Sequence, residues 1–246
     1  MHGRKESASR VMAYDRAWSR PNESVNRIPP VTLTLLVSIV GVFLMQLLLP
    51  VQWILPFELW PMGRYSLGID EAGRQVMAGF MPWQLVTYGF LHGNWVHLLF
   101  NGWALYQFGA AAENVLGARR FTLFYFFCVV GAGLCQLLVT TAMLDPLDPR
   151  PIATVGASGG VFGLLLAFAV FYPNAKLIFL LFPVPVSARI AVLIYGGIEL
   201  YLGLSGAQSG VAHFAHLGGL AFGWLLLRYW RGLPPFGRRR PPMRPR

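Results

Sequence analysis

Residues 31–49 read V-T-L-T-L-L-V-S-I-V-G-V-F-L-M-Q-L-L-L, nineteen positions without a charge. A hydrocarbon layer about 30 Å thick is crossed by about 20 helical residues, so the stretch is long enough to span it. In lipid every backbone N–H and C=O must be paired internally, which leaves a helix or a closed barrel. A barrel strand alternates apolar and polar side chains, and residues 31–49 do not, so the run is a helix. It lies too far from Met1, and is too long, for a cleaved secretory signal, and reads as a retained span. Working outward, five further apolar segments fall at about 93–113, 121–142, 158–172, 187–204 and 211–228. The expected fold class is therefore an all-α polytopic membrane protein with six transmembrane helices.

Composition agrees. Of 246 residues 55% are hydrophobic and only 12% charged, against roughly 25% charged in a soluble domain. This excludes a disordered chain and a solvated enzyme. The net charge of +10 does not point to nucleic acid, because Lys and Arg avoid the middle of the chain instead of covering a folded face. Seventeen basic residues lie in the two tails and in the loops on the same side, among them Arg119, Arg120, Lys176 and Arg189. Only Arg64, Arg74 and Arg150 fall on the other side. Basic loops stay inside, so both termini are expected to be cytoplasmic. The strong preference for Arg over Lys and the short tails point to a bacterial cytoplasmic membrane. The chain divides into a basic tail (1–28), a six-helix domain (29–230) and an Arg/Pro-rich tail (231–246). Cys128 and Cys135 both sit in an apolar run and imply no disulfide framework. The aromatic loop 51–92 is expected to lie along the outer face, and Leu177 to Val186 to form a cytoplasmic interfacial connection.

Polar side chains inside spans are costly, and each is a functional hypothesis. His97 and Asn101 are four apart on the second span and share a face. Gly156-Ala157-Ser158-Gly159-Gly160 opens the fourth span, and the sixth contains His213 and His216. Counted at 1.5 Å per residue from the cytoplasmic ends, Asn101, Ser158 and His216 stand at about 18, 21 and 18 Å, and His97 at about 24 Å. They can share one site below the outer surface. Gly159 with Gly163, and Gly219 with Gly223, form small-xxx-small pairs that let the fourth and sixth helices approach closely. Ser158 is then the candidate nucleophile and His216 the candidate base. Ser158 begins a helix, so its own N–H is free to donate to an oxyanion, with His97 and Asn101 as further donors. No carboxylate is evident to orient His216: Glu113 and Glu199 are placed too near the inner side or midplane, and Asp145 and Asp148 lie in the outer loop. The expectation is a Ser–His dyad, with Glu199 left to a structural role.

At these residues the sequence resembles the rhomboid family of intramembrane serine proteases. The matching pieces are His92-Gly-Asn-Trp-Val-His97-Leu-Leu-Phe-Asn101, Gly156-Ala-Ser158-Gly-Gly-Val-Phe-Gly163 and Ala215-His216-Leu-Gly-Gly219-Leu-Ala-Phe-Gly223. They fall on the second, fourth and sixth spans, and the similarity covers about residues 30 to 228. It implies a rhomboid-like bundle, Ser158 as nucleophile, His216 as general base, and His97, Asn101 and the Ser158 N–H as oxyanion donors. It further implies transmembrane protein substrates, no cofactor, and entry past the fifth span near Leu204 to Gly210. Two departures are visible: Trp83-Gln84 stands where many members carry Trp-Arg, and Phe162 where members often have a Tyr stacked on the catalytic His.

Other readings are weaker. Gly156-x-Ser158-x-Gly160 also fits the nucleophile elbow of soluble hydrolases, but no strand and parallel sheet precede it. A metal site from His92, His97, His213 and His216 lacks an HExxH motif or a carboxylate set, so no metal is expected. His92 and His213 are read as supporting hydrogen-bonding groups. A catalytically inactive relative that binds client proteins and steers their folding or degradation would typically have lost Ser158 or His216. A transporter would need paired broken helices or an acid–base relay. Oligomeric state is not legible.

Overall fold

The computed structural model describes residues 27–70, 72–144, 151–178, 184–205 and 212–236. Most of the basic tail residues that set the expected orientation, Asp145, Asp148, and most of the expected entry segment Leu204 to Gly210 lie outside the described residues.

Six helical runs occur where the sequence places the six apolar segments. These are α1 (Pro30–Leu48), α2 (Trp95–Ala104, continued by a π-helical stretch Leu105–Gly109 and by Ala110–Leu116), α3 (Ala118–Ala142), α4 (Ser158–Phe171), α5 (Ala188–Ser205) and α6 (His213–Trp230). Among the described residues α1, α3 and α5 are long and apolar enough to cross a membrane, and α4 is a shorter apolar helix. Helices α3, α4 and α6 form the centre, and most of the apolar side chains of α1 and α5 face outward.

The close packing at the centre follows from residues without side chains. A Cβ on Gly219 would overlap the backbone carbonyl oxygen of Gly159, and one on Gly163 would meet Cys128 of α3 and stand 3.2 Å from Gly219 O. A Cβ on Gly223 would come 3.4 Å from the Cα of Gly163. The backbones of α4 and α6 thus touch directly, as small-xxx-small stripes permit. At the opposite end of the molecule from the Ser158 end of α4, Glu113 closes the start of α1. Its carboxylate accepts from Val31 N (3.0 Å), Thr32 N (2.7 Å) and Thr32 Oγ1 (2.8 Å), satisfying N–H groups that a helix start leaves bare.

The loop 51–92 is more ordered than an aromatic skirt. It carries an antiparallel hairpin, β1 (Arg64–Ile69) with β2 (Gln75–Gly79), so the chain is not purely helical. A second hairpin, β3 (Lys176–Ile178) with β4 (Pro185–Ser187), falls in the Leu177 to Val186 connection. Gln84, standing where the resemblance offers Arg, is fully buried and anchors the loop to itself. It accepts from Trp60 N at 3.2 Å and donates to Pro56 O and Gly79 O at 3.2 and 3.1 Å. Leu59 pairs with Thr154, which ties this loop to the segment leading into Ser158. Gln84→Ala would strand these buried groups at about 1–3 kcal/mol. The expected result is a fall of roughly 5 °C in the unfolding midpoint in detergent, read by circular dichroism; an unchanged midpoint would count against the anchor.

Candidate active site

Ser158 is held by the backbone before it. Gly156 has φ +127°, a conformation that side-chain-bearing residues rarely adopt. Its N–H donates to Tyr88 O at 2.9 Å, while the Tyr88 hydroxyl donates to Val129 O of α3 at 2.8 Å. The chain then turns into α4 at Ser158, whose N–H is among those that the first helical turn leaves without an intrahelical partner. His216 sits in the first turn of α6, and that turn is fixed from α3: Gln136 Oε1 accepts Ala215 N–H at 3.2 Å.

These two supports bring the Ser158 hydroxyl to 2.7 Å from His216 Nε2. Phe162, one turn below Ser158, stacks on the imidazole with centroids 4.3 Å apart and planes 4° from parallel. An aromatic face without a hydroxyl is thus enough to fix the ring plane. The seryl oxygen lies on one wall of a cavity of about 970 Å³, which His97, Asn101, Gln136 and Phe162 also line.

His97 and Asn101 face the same space from α2. The Asn101 amide nitrogen Nδ2 is buried and has no hydrogen-bond partner. His97 Nδ1 accepts Gly93 N–H at 3.4 Å, which leaves the ring proton on Nε2, pointing toward the Gly156 backbone. A Cβ on Gly156 would stand 2.7 Å from His97 Nε2 and 3.7 Å from Asn101 Nδ2. Two donors therefore converge on the segment just before the serine, and only a glycine leaves them room. His92 lies behind them: its Nδ1 contacts Phe90 O at 3.2 Å, its backbone pairs with the Gln46 amide of α1, and its ring packs edge-on against His97. It supports the site without facing Ser158.

The expectation that no carboxylate reaches His216 is corrected. Glu199 Oε2 lies 2.6 Å from His213 Nδ1 and 3.0 Å from His216 Nδ1. The second approach is off the ring N–H axis, so it acts as a close charge contact and not as an aligned hydrogen bond. A carboxylate can only accept, so it favours the ring proton on Nδ1 and leaves the Nε2 lone pair facing Ser158 Oγ. His213 joins the same cluster through Glu199. The signal was in the sequence. From Ala188, Glu199 is eleven steps up α5, about 17 Å, level with His216 by the count used for the other helices.

Residues 79–231 match the family model described as the Rhomboid domain. The chain belongs to the rhomboid family. All the residues of the Ser158 site lie inside the matched segment, and this rhomboid is an integral membrane protein with apolar helices of membrane-crossing length. It is similar to the putative rhomboid protease YdcA of Bacillus subtilis, 32% identical over 146 residues, which cover 58% of this chain and 65% of that one. Rhomboid-like protein 11, chloroplastic, of Arabidopsis thaliana is 35% identical over 170 residues, 61% of this chain and 55% of that one. Rhomboid protease AarA of Providencia stuartii is 30% identical over 154 residues, 58% and 54%. The matched part thus spans between 54% and 65% of these relatives.

Proposed function

We propose that this rhomboid is an intramembrane serine endopeptidase that cuts peptide bonds in or near transmembrane segments of other proteins. The observation that carries the reading is the 2.7 Å contact between Ser158 Oγ and His216 Nε2 at the edge of a cavity. Ser158 Oγ attacks the scissile carbonyl carbon while its proton passes to Nε2 of His216. The developing oxyanion receives the Ser158 N–H, the Asn101 Nδ2–H and the His97 Nε2–H. The tetrahedral intermediate collapses to an acyl-serine as His216 returns the proton to the leaving amine. Water, deprotonated by His216, then attacks the ester and restores Ser158. No cofactor is required by these steps. Glu199 positions His216 and stabilises its cationic form in this sequence, so the expected dyad becomes a dyad supported by an acid.

The basic tails favour cytoplasmic termini, and the preference for Arg over Lys favours a bacterial cytoplasmic membrane, with the bilayer and transmembrane proteins as partners. The test is cleavage of a tagged single-span substrate in proteoliposomes together with fluorophosphonate labelling. Wild type is expected to cut and to label, Ser158→Ala to do neither, and His216→Ala to lose the label. Equal cleavage by Ser158→Ala would overturn the proposal, and a wild type that binds substrate without cutting it would favour an inactive client-binding relative.

A further inference from the structure

Glu199, His213 and His216 form a cluster that peptide hydrolysis only partly employs. Each offers one ligand atom, and the three atoms lie within 4.8 Å of one another. We infer that this cluster is a three-ligand site for a divalent transition-metal ion of the zinc type, and that filling it switches the serine off.

The donor set is two imidazoles and a carboxylate, a set that binds zinc with a fourth position open. Around a tetrahedral ion with bonds near 2.1 Å, ligand atoms stand about 3.4 Å apart. Here Glu199 Oε2 is 2.6 Å from His213 Nδ1 and 3.0 Å from His216 Nδ1, so each imidazole needs to part from the carboxylate by less than about an ångström to admit the ion, with all ligand atoms within 4.8 Å of one another. The scaffold is fixed: His213 and His216 are three apart on one face of α6, and Glu199 projects from α5, which packs against it. The side chains are 5%, 11% and 12% exposed. His216 Nδ1 is buried without an aligned hydrogen-bond partner. Among the described residues Glu199 has only these two histidines as ion-pair partners, and no Lys or Arg neutralises it. Both histidines also line the cavity beside Ser158.

The consequence follows from the tautomer. A neutral imidazole bound through Nδ1 must carry its proton on Nε2. On binding, the His216 ring proton moves by way of solvent from Nδ1 to Nε2 with no net loss, and the Nε2–H then donates to Ser158 Oγ across the 2.7 Å contact. Nothing remains to accept the seryl proton. This second step rests on the proposed chemistry of Ser158 and His216; the site itself does not.

The two are separable by experiment. Untagged Ser158→Ala protein in detergent, stripped with EDTA and dialysed, is titrated with Co²⁺. Visible ligand-field bands are expected to saturate at one equivalent and to vanish on adding Zn²⁺. Affinity is expected to fall at least about tenfold in His213→Gln and in Glu199→Gln made on the same background, with circular dichroism confirming that each is folded. These variants alter different helices, so misfolding of one leaves the other decisive. Absence of saturable bands, or bands unchanged in a folded variant, overturns the site. In wild type the Zn²⁺ that fills the site is expected to suppress fluorophosphonate labelling of Ser158, and EDTA to restore it; labelling that persists at saturating Zn²⁺ overturns the switch. A stripped wild type that never labels overturns the hydrolase reading and the switch with it, while the cobalt bands still decide the site.

Discussion

Gly219→Val is expected to abolish fluorophosphonate labelling of Ser158 and to slow substrate cleavage by at least about a hundredfold, the scale on which a misplacement of about 1 Å is felt. The reason is the backbone. At position 219 the first atom of any side chain falls on the carbonyl oxygen of Gly159, and a carbonyl in a helix cannot rotate away as a long side chain can. Relief requires α6 to move off α4. Ser158 lies one residue before Gly159 and His216 three residues before Gly219, so the movement opens the 2.7 Å contact directly. Overpacking of this kind also costs about 1–3 kcal/mol or more, so a lower unfolding midpoint accompanies the loss. Gly41 of α1 is the control. It has no heavy atom within 4 Å of a built Cβ, and Gly41→Val is expected to label like wild type. A Gly219→Val protein that labels normally and melts normally would refute the claim that backbone contact sets the catalytic distance.

What could be read from the chain, and what could not, divides along a physical line. Partition into lipid is a property of one segment at a time, so the helices from Pro30 to Trp230 were legible to within a few residues. Depth along a helix is also one-dimensional, and for that reason Ser158, His216, His97 and Asn101 can be placed within about one helical turn of each other from the sequence alone. Pairings between distant polar groups are different. The Glu113 carboxylate meets Val31 and Thr32, eighty-odd residues away, and hydropathy carries no trace of the rotation that aims it there. Gln84 looked like the loss of an arginine, yet its amide donates and accepts at once and so serves three backbone groups that a cation could not all serve. The hairpin of Arg64–Ile69 with Gln75–Gly79 was legible only in part: Arg-Tyr-Ser-Leu-Gly-Ile alternates polar and apolar residues, but Gln-Val-Met-Ala-Gly does not, and no residue of either strand is buried. Glu199 is the instructive case: the sequence reading sets it aside as too near the inner side or midplane, yet the count from Ala188 puts it level with His216, and its facing toward the two histidines carries no trace in hydropathy.

Glu199→Gln therefore isolates what facing adds, and its expected result is a fall in turnover on the order of a hundredfold with little change in KM or in the unfolding midpoint. The substitution keeps size and one acceptor oxygen while removing the charge. Under the proposed chemistry the carboxylate, 3.0 Å from His216 Nδ1, favours the ring proton on that nitrogen in the resting state. In the proposed transition state it would face an imidazolium, and an attraction present only there lowers the barrier without tightening substrate binding. Proton transfer by a well-placed base contributes about 10²–10⁴-fold. Because the contact is off the N–H axis and shared with His213 at 2.6 Å, the lower end of that range applies. Phe162, stacked at 4.3 Å, still fixes the ring plane, so the ring stays seated and loses only its electrostatic partner. Glu199→Asp, which keeps the charge on a shorter stem, is expected to recover part of the rate. A merely structural carboxylate gives the opposite pattern: a lower midpoint, unchanged turnover per folded molecule, and no rescue by aspartate. That pattern would return His216 to the unsupported dyad that the sequence alone suggested.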